Sequence, residues 1–142
     1  MIHLTCIETI DGKIYYRISG EEHPRTIIFV HGLAGDSRFF HNQLKKLSSS
    51  YKIIAIDLPG HGRSHKPDKI SAEIYSKSIE LVTEKEKIKK YIIAGHSMGG
   101  AICFEHYINN RHRIEAMILI STSHQIPVTE EMINSSINDF DK

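Results

Sequence analysis

Short, almost wholly apolar runs recur along this chain, separated by stretches in which apolar residues return every three or four positions. The runs are Thr26-Ile27-Ile28-Phe29-Val30, Lys52-Ile53-Ile54-Ala55-Ile56, Tyr91-Ile92-Ile93-Ala94 and Ala116-Met117-Ile118-Leu119-Ile120. Their brevity and β-branched content make them strands, and the lack of inside-outside alternation predicts strands buried on both faces of a parallel sheet. Ahead of them, Leu4 to Ile10 and Ile14 to Ser19 flank Asp11-Gly12, the dipeptide best suited to a tight antiparallel hairpin.

The intervening stretches read as helices. Phe40, Leu44 and Leu47 share one face of a helix that Asp36 or Ser37 can cap. A second helix starts at Ser71 and carries Ile74, Tyr75, Ile79 and Val82, and a third spans Ala101 to Ile108. The order β-β-β-α-β-α-β-α-β predicts an α/β fold: a mostly parallel sheet with helices on both faces, preceded by an antiparallel N-terminal hairpin. After residue 125 the pattern changes. Thr129 can cap a helix whose start Glu130 and Glu131 favour, with Ile133, Ile137 and Phe140 on one face.

Composition narrows the function classes. With 40% hydrophobic and 25% charged residues among 142, the chain has the make-up of one soluble domain. A net charge of +1 gives no reason to expect nucleic acid or an anionic membrane as partner. No apolar run nears the ~18 residues of a membrane span. The start, Met1-Ile2-His3-Leu4-Thr5, lacks the basic and apolar regions of a secretion signal, and Cys6 and Cys103 lack metal or redox spacing. A reduced, cytoplasmic protein is expected. Ten histidines invite a metal reading. None stands in His-Glu-X-X-His or other compact ligand spacing, so neither a metal nor a cofactor is expected. The run Glu84-Lys85-Glu86-Lys87-Ile88-Lys89-Lys90 mixes signs at a helix end and reads as a solvated face.

The candidate chemistry lies at Gly95-His96-Ser97-Met98-Gly99. An apolar strand precedes it and a helical pattern follows it, which is the setting of a nucleophile elbow. A serine at the tip of so sharp a turn needs neighbours without side chains two residues before and two after, and Gly95 and Gly99 meet that need.

Three motifs in order now carry a resemblance: His31-Gly32 after the third strand, Asp57-Leu58-Pro59-Gly60-His61-Gly62-Arg63-Ser64 after the fourth, and Gly95-His96-Ser97-Met98-Gly99-Gly100 after the fifth. Over about residues 14 to 125 the sequence resembles the first half of an α/β-hydrolase. The resemblance implies that residues 1–125 are the N-terminal part of such a domain and 126–142 the start of a cap or linker segment. It implies Ser97 as nucleophile and the backbone N–H groups of Leu33 and Met98 as the oxyanion hole. Gly32 would let the backbone approach a substrate, and His31 beside it is a candidate substrate-binding position. His31 and His61 also read as structural members of the family motifs, as do the residues of the Asp57 to Ser64 loop, and Asp57 is not expected to be catalytic. The substrate would be a small-molecule ester or other acyl compound. Ser97 argues against the branch of the family that uses an aspartate nucleophile.

The family places its acid and its histidine after later strands, in the order Ser, Asp or Glu, His. Downstream of Ser97 stand only His106 and His112, in or at the end of the following helix, and His124. The expectation is therefore a truncated fold in which the strand at Ala116 to Ile120 becomes an apolar edge, open to self-association or to a complementing C-terminal half. Three readings follow: a serine hydrolase whose acid and histidine lie elsewhere; a catalytically silent binding protein that uses the sheet edge and the Pro127 to Lys142 helix; or a small complete hydrolase with His124 as an improvised base, oriented by Glu130 or Glu131.

Overall fold

The computed structural model describes residues 1–123. The expectations for His124, Glu130, Glu131 and the segment 126–142 lie outside the described residues. The chain opens with β1 (His3–Thr9) and β2 (Gly12–Ser19), paired antiparallel around Asp11-Gly12. There follow β3 (Thr26–Val30), a 3-10 turn (Ser37–Phe40), α1 (His41–Leu47), β4 (Lys52–Ile56), α2 (Ala72–Lys85), β5 (Tyr91–His96), α3 (Met98–Asn110) and β6 (Ile114–Ile120).

The six strands form one sheet in the order β1-β2-β4-β3-β5-β6. The run β4-β3-β5-β6 is parallel, and β2 joins β4 antiparallel with Arg17 opposite Ala55. From β3 the chain steps to β4 on one side and then returns past it to β5 on the other. The carboxyl ends of β3 and β5 therefore flank a topological switch point, where the loops diverge and leave a crevice.

Alternation along the strands sorts the core into two layers. Ile28, Val30, Ile54, Ile56 and Ile93 face α2 and α3, where they meet Tyr75, Ile79, Val82, Ile102 and Cys103. Ile27, Phe29, Ile53, Ala55 and Ala94 face the other way onto Phe40 and Leu44. Burial of each large aliphatic chain contributes roughly 1.5–3 kcal/mol, so β3, β4 and β5 are held by packing on both of their faces.

Local signals act as the sequence suggests, with refinements. Asp36 caps the 3-10 turn, its carboxylate accepting from the Arg38 N–H, and Ser71 caps α2 by accepting from the Ile74 N–H. Most of the charged run after α2 is exposed, but Glu86 turns inward. It accepts from the Tyr16 hydroxyl at 2.5 Å and from Lys52 Nζ at 3.0 Å, which lets the fully buried Tyr16 keep its hydroxyl paired. The strand expected at Ala116 to Ile120 begins at Ile114 and is not buried on both faces. Ile118, Leu119 and Ile120 are 37–44% exposed, because β6 is an edge among the described residues and has β5 alone as neighbour.

Candidate active site

Ser97 stands between the last residue of β5 and the first of α3 with φ 53° and ψ −120°, a conformation that residues bearing a side chain rarely adopt. The surroundings enforce it. The Ser97 N–H donates to the Ile120 carbonyl at 3.1 Å. Its own carbonyl accepts from the Gly100 N–H at 2.9 Å and from the Thr122 hydroxyl at 2.6 Å. The turn is thus tied at both peptide groups, once within the elbow and twice to the end of β6.

The flanking glycines are required by close approach. A Cβ on Gly95 would stand 2.5 Å from the Gly99 carbonyl carbon, and one on Gly99 would stand 2.6 Å from the His31 carbonyl oxygen. The elbow packs backbone to backbone against the end of β3, leaving no room for a methyl group. Gly32 lies on the other side of the crevice, where a Cβ would be 3.2 Å from the Ser97 Cβ. The loop after β3 and the Ser97 turn are therefore in near contact.

His31 explains how that loop is held. Its ring is fully buried, with Nε2 accepting from the Leu58 N–H at 3.1 Å, which assigns the ring proton to Nδ1 and its 2.7 Å bond to the Gly32 carbonyl. Burial keeps the imidazole below its usual pKa, and hence neutral. The Gly32 carbonyl also accepts from the Gly35 N–H at 3.1 Å. In a trans peptide the following N–H points opposite to the carbonyl, so the Leu33 N–H is directed away from the buried ring. The Met98 N–H, as the first of α3, has no intrahelical acceptor. Both Leu33 and Met98 line a depression of about 660 Å³, together with His61, Ile70, Tyr75 and Ile102. Its wall is mainly apolar with a few polar groups, the usual make-up of a small-molecule site.

Other titratable groups near the elbow have partners of their own. His96 lies flat against Phe39, ring centroids 4.7 Å apart. Asp57 is buried and accepts from the Ser37 N–H at 2.8 Å and the Arg63 N–H at 3.1 Å, so its carboxylate staples two loops. His106 sits within the α2–α3 interface, bonded to Ser76 Oγ at 2.8 Å and the Tyr91 hydroxyl at 2.5 Å. Cys103 is fully enclosed, and burial pushes its thiol up to about 12. Among the described residues, no protein group hydrogen-bonds the Ser97 hydroxyl, and no group of three or more His, Cys, Asp or Glu is placed to hold a metal ion. No helix of the described residues is long and apolar enough to cross a membrane.

A strained serine on a strand-to-helix turn, at the switch point of a largely parallel sheet, is the geometry of an α/β protein with a sharp elbow after its fifth strand. The family model for the alpha/beta hydrolase fold matches residues 25–140, and the chain belongs to that family. A serine hydrolase-like protein of Danio rerio is 31% identical over 135 residues, covering 90% of this chain and 41% of its own length. An uncharacterized hydrolase of Bacillus subtilis is 28% identical over 118 residues, covering 81% of this chain and 43% of its own. Among solved structures, a serine hydrolase from the polyaromatic hydrocarbon-degrading bacterium Cycloclasticus zankles superposes with a TM-score of 0.81 at 18% identity, over 91% of this chain and 48% of that one. That likeness shows the shared fold. The chain spans less than half the length of each of these three relatives.

Thr122 is the site residue that sequence reasoning passed over. A threonine just after an apolar strand is an ordinary event, and no pattern marks it as a tether for a turn 25 positions earlier.

Proposed function

We propose that this chain is the nucleophile-bearing part of a serine hydrolase acting on a carboxylic ester or related acyl bond. Ser97 Oγ attacks the acyl carbon and gives up its proton to a base. The carbonyl oxygen becomes an oxyanion held by the Leu33 and Met98 N–H groups, and the alcohol leaves with a proton. Each such donor is worth about 3–4 kcal/mol in the transition state. The observation that carries the reading is the strained Ser97 backbone, fixed by three hydrogen bonds within near contact of Gly32. Strain of this kind persists only where the surroundings impose it.

The base and its orienting acid belong, on this reading, to segments other than residues 1–123. His31 is buried with both ring nitrogens engaged, as is His106, His96 is stacked on Phe39, and His61 packs on His31 with Nδ1 at the Pro59 carbonyl; none hydrogen-bonds the Ser97 hydroxyl. Without its histidine a serine hydrolase loses about a millionfold in kcat, which leaves a slow nucleophile in a formed oxyanion site.

Fluorophosphonate labelling of the full chain, mapped by mass spectrometry with and without added imidazole, tests this. A slow adduct at Ser97 is expected, faster with imidazole and missing in Ser97→Ala. No adduct at Ser97 in a folded sample, even with imidazole, overturns the nucleophile assignment.

A second reading, an interaction protein without catalysis, draws support from apolar residues exposed on both faces of β6, Ile118 and Ile120 on one and Leu119 on the other. An open apolar edge pairs readily with another strand, from a second copy or from a complementing C-terminal half. It predicts association in solution together with an unreactive Ser97.

A further inference from the structure

A separate polar pocket of about 200 Å³ opens between β2, the turn after β3 and the loop after β4, with Arg17, Asp36, Ser37, Arg38, Asp57 and Arg63 in its wall. It lies beside β2 and β4, on the far side of β3 from β5 and Ser97. Two buried groups in this wall, Arg17 Nε and Ser37 Oγ, have no hydrogen-bond partner among the described residues. Ser37 is only 1% exposed. A buried donor left unmade is costly, so these two groups call for a polar guest.

The charges in the wall say which kind. Its two carboxylates are already engaged. Arg38 grips Asp36 in a fork at 2.7–3.0 Å, and Asp57 accepts the Ser37 and Arg63 backbone N–H groups. Among the described residues, the Arg17 and Arg63 guanidiniums have neither a hydrogen-bond partner nor an ion-pair partner. The unfilled positions are thus two guanidiniums and a hydroxyl. Water would fill the hydrogen bonds, but the wall sets three guanidiniums against two carboxylates and keeps one net positive charge, with Arg17 half-buried and Arg63 exposed. A guest that only accepts, carries negative charge and matches the guanidinium fork satisfies all three at once.

We infer that this pocket binds a small tetrahedral oxyanion, inorganic phosphate or the terminal phosphate of a monoester, held by Arg17, Ser37 and Arg63. Inorganic phosphate titrated into the full chain, against sodium chloride at matched ionic strength, is the direct test, read from the arginine Nε–H cross-peaks. The expected result is a saturable shift of the Arg17 Nε–H in phosphate alone, with affinity weakened about tenfold or more in Arg17→Gln and reduced in Ser37→Ala. Methyl phosphate separates the two sources: a matching shift assigns the pocket to phosphomonoesters, and a response to inorganic phosphate alone assigns it to the free ion. Non-saturating shifts shared by all exposed arginines would show that the pocket holds only water, and the same Arg17 response in chloride would show that it does not select an oxyanion; either overturns the inference. Should Arg17→Gln fail to fold, the wild-type titration decides by itself.

Discussion

Thr122 donates its hydroxyl to the carbonyl oxygen of Ser97 at 2.6 Å, so the segment just after β6 holds the back of the Ser97 turn. A Cβ on Gly100 would come within 2.6 Å of the Thr122 Cβ, which shows how closely the two segments fit. Thr122→Val keeps the shape and removes the donor. Because the Ser97 carbonyl still accepts from Gly100, the expected loss of stability is modest, about 1 kcal/mol. The labelling rate at Ser97 should fall more than stability does, and Thr122→Ser should restore it. Equal rates in Thr122→Val and wild type would show that the tether does not position the serine.

Backbone strain at Ser97 separates two substitutions that both remove its hydroxyl. Ser97→Ala retains a Cβ at φ 53° and with it the strain. Ser97→Gly relieves strain of about 1–3 kcal/mol and loses part of that gain to the greater freedom of glycine in the unfolded chain. The glycine variant is expected to be about 1 kcal/mol more stable than the alanine variant in urea unfolding. The reverse order would show that the turn is relaxed.

His106 predicts an acid-side loss of stability. Its ring is fully buried, packed with Ser76, Tyr91 and Asn110, with Glu80 and Arg113 as the nearby charges. Burial holds its pKa down to about 4, against an ordinary 6.5. Between those values the unfolded chain takes up a proton that the folded chain refuses. The stabilising contribution is therefore complete above pH 6.5, declines as pH falls towards 4 and is gone below it, for a total of about 3 kcal/mol. Urea midpoints measured from pH 4 to 7 should fall more steeply for wild type than for His106→Gln. Parallel profiles would remove His106 as the source.

What the sequence revealed and what it hid follow from how far each signal reaches. Val30, Ile56 and Ala94 lie in runs so uniformly apolar that only a strand covered on both sides suits them, and the glycines around Ser97 announce a turn without space for side chains. Ile118 to Ile120 read as buried from their apolar run and as an edge from the order of the family's later strands, and among the described residues they are an edge, since an apolar run reports what a strand can bury and not whether a neighbour is there to cover it. Glu86 looked like one more solvated charge, because its role depends on Tyr16 and Lys52, which approach it from distant strands. The pocket of Arg17, Ser37 and Arg63 was illegible for the same reason: three ordinary polar residues on three segments become a site only when the sheet places β2 beside β4.

The tethers of Ser97 also impose an order in time. A ribosome adds Thr122 after Ser97 by 25 residues, an interval of about one to five seconds at the usual 5–20 residues per second. Until Ile120 and Thr122 emerge, nothing outside the elbow pins its peptide groups, and the relaxed backbone conformation is the cheaper one. The nascent chain therefore carries a Ser97 without these tethers, and on the proposed function it is the docking of the last described strand that sets the serine in its working geometry.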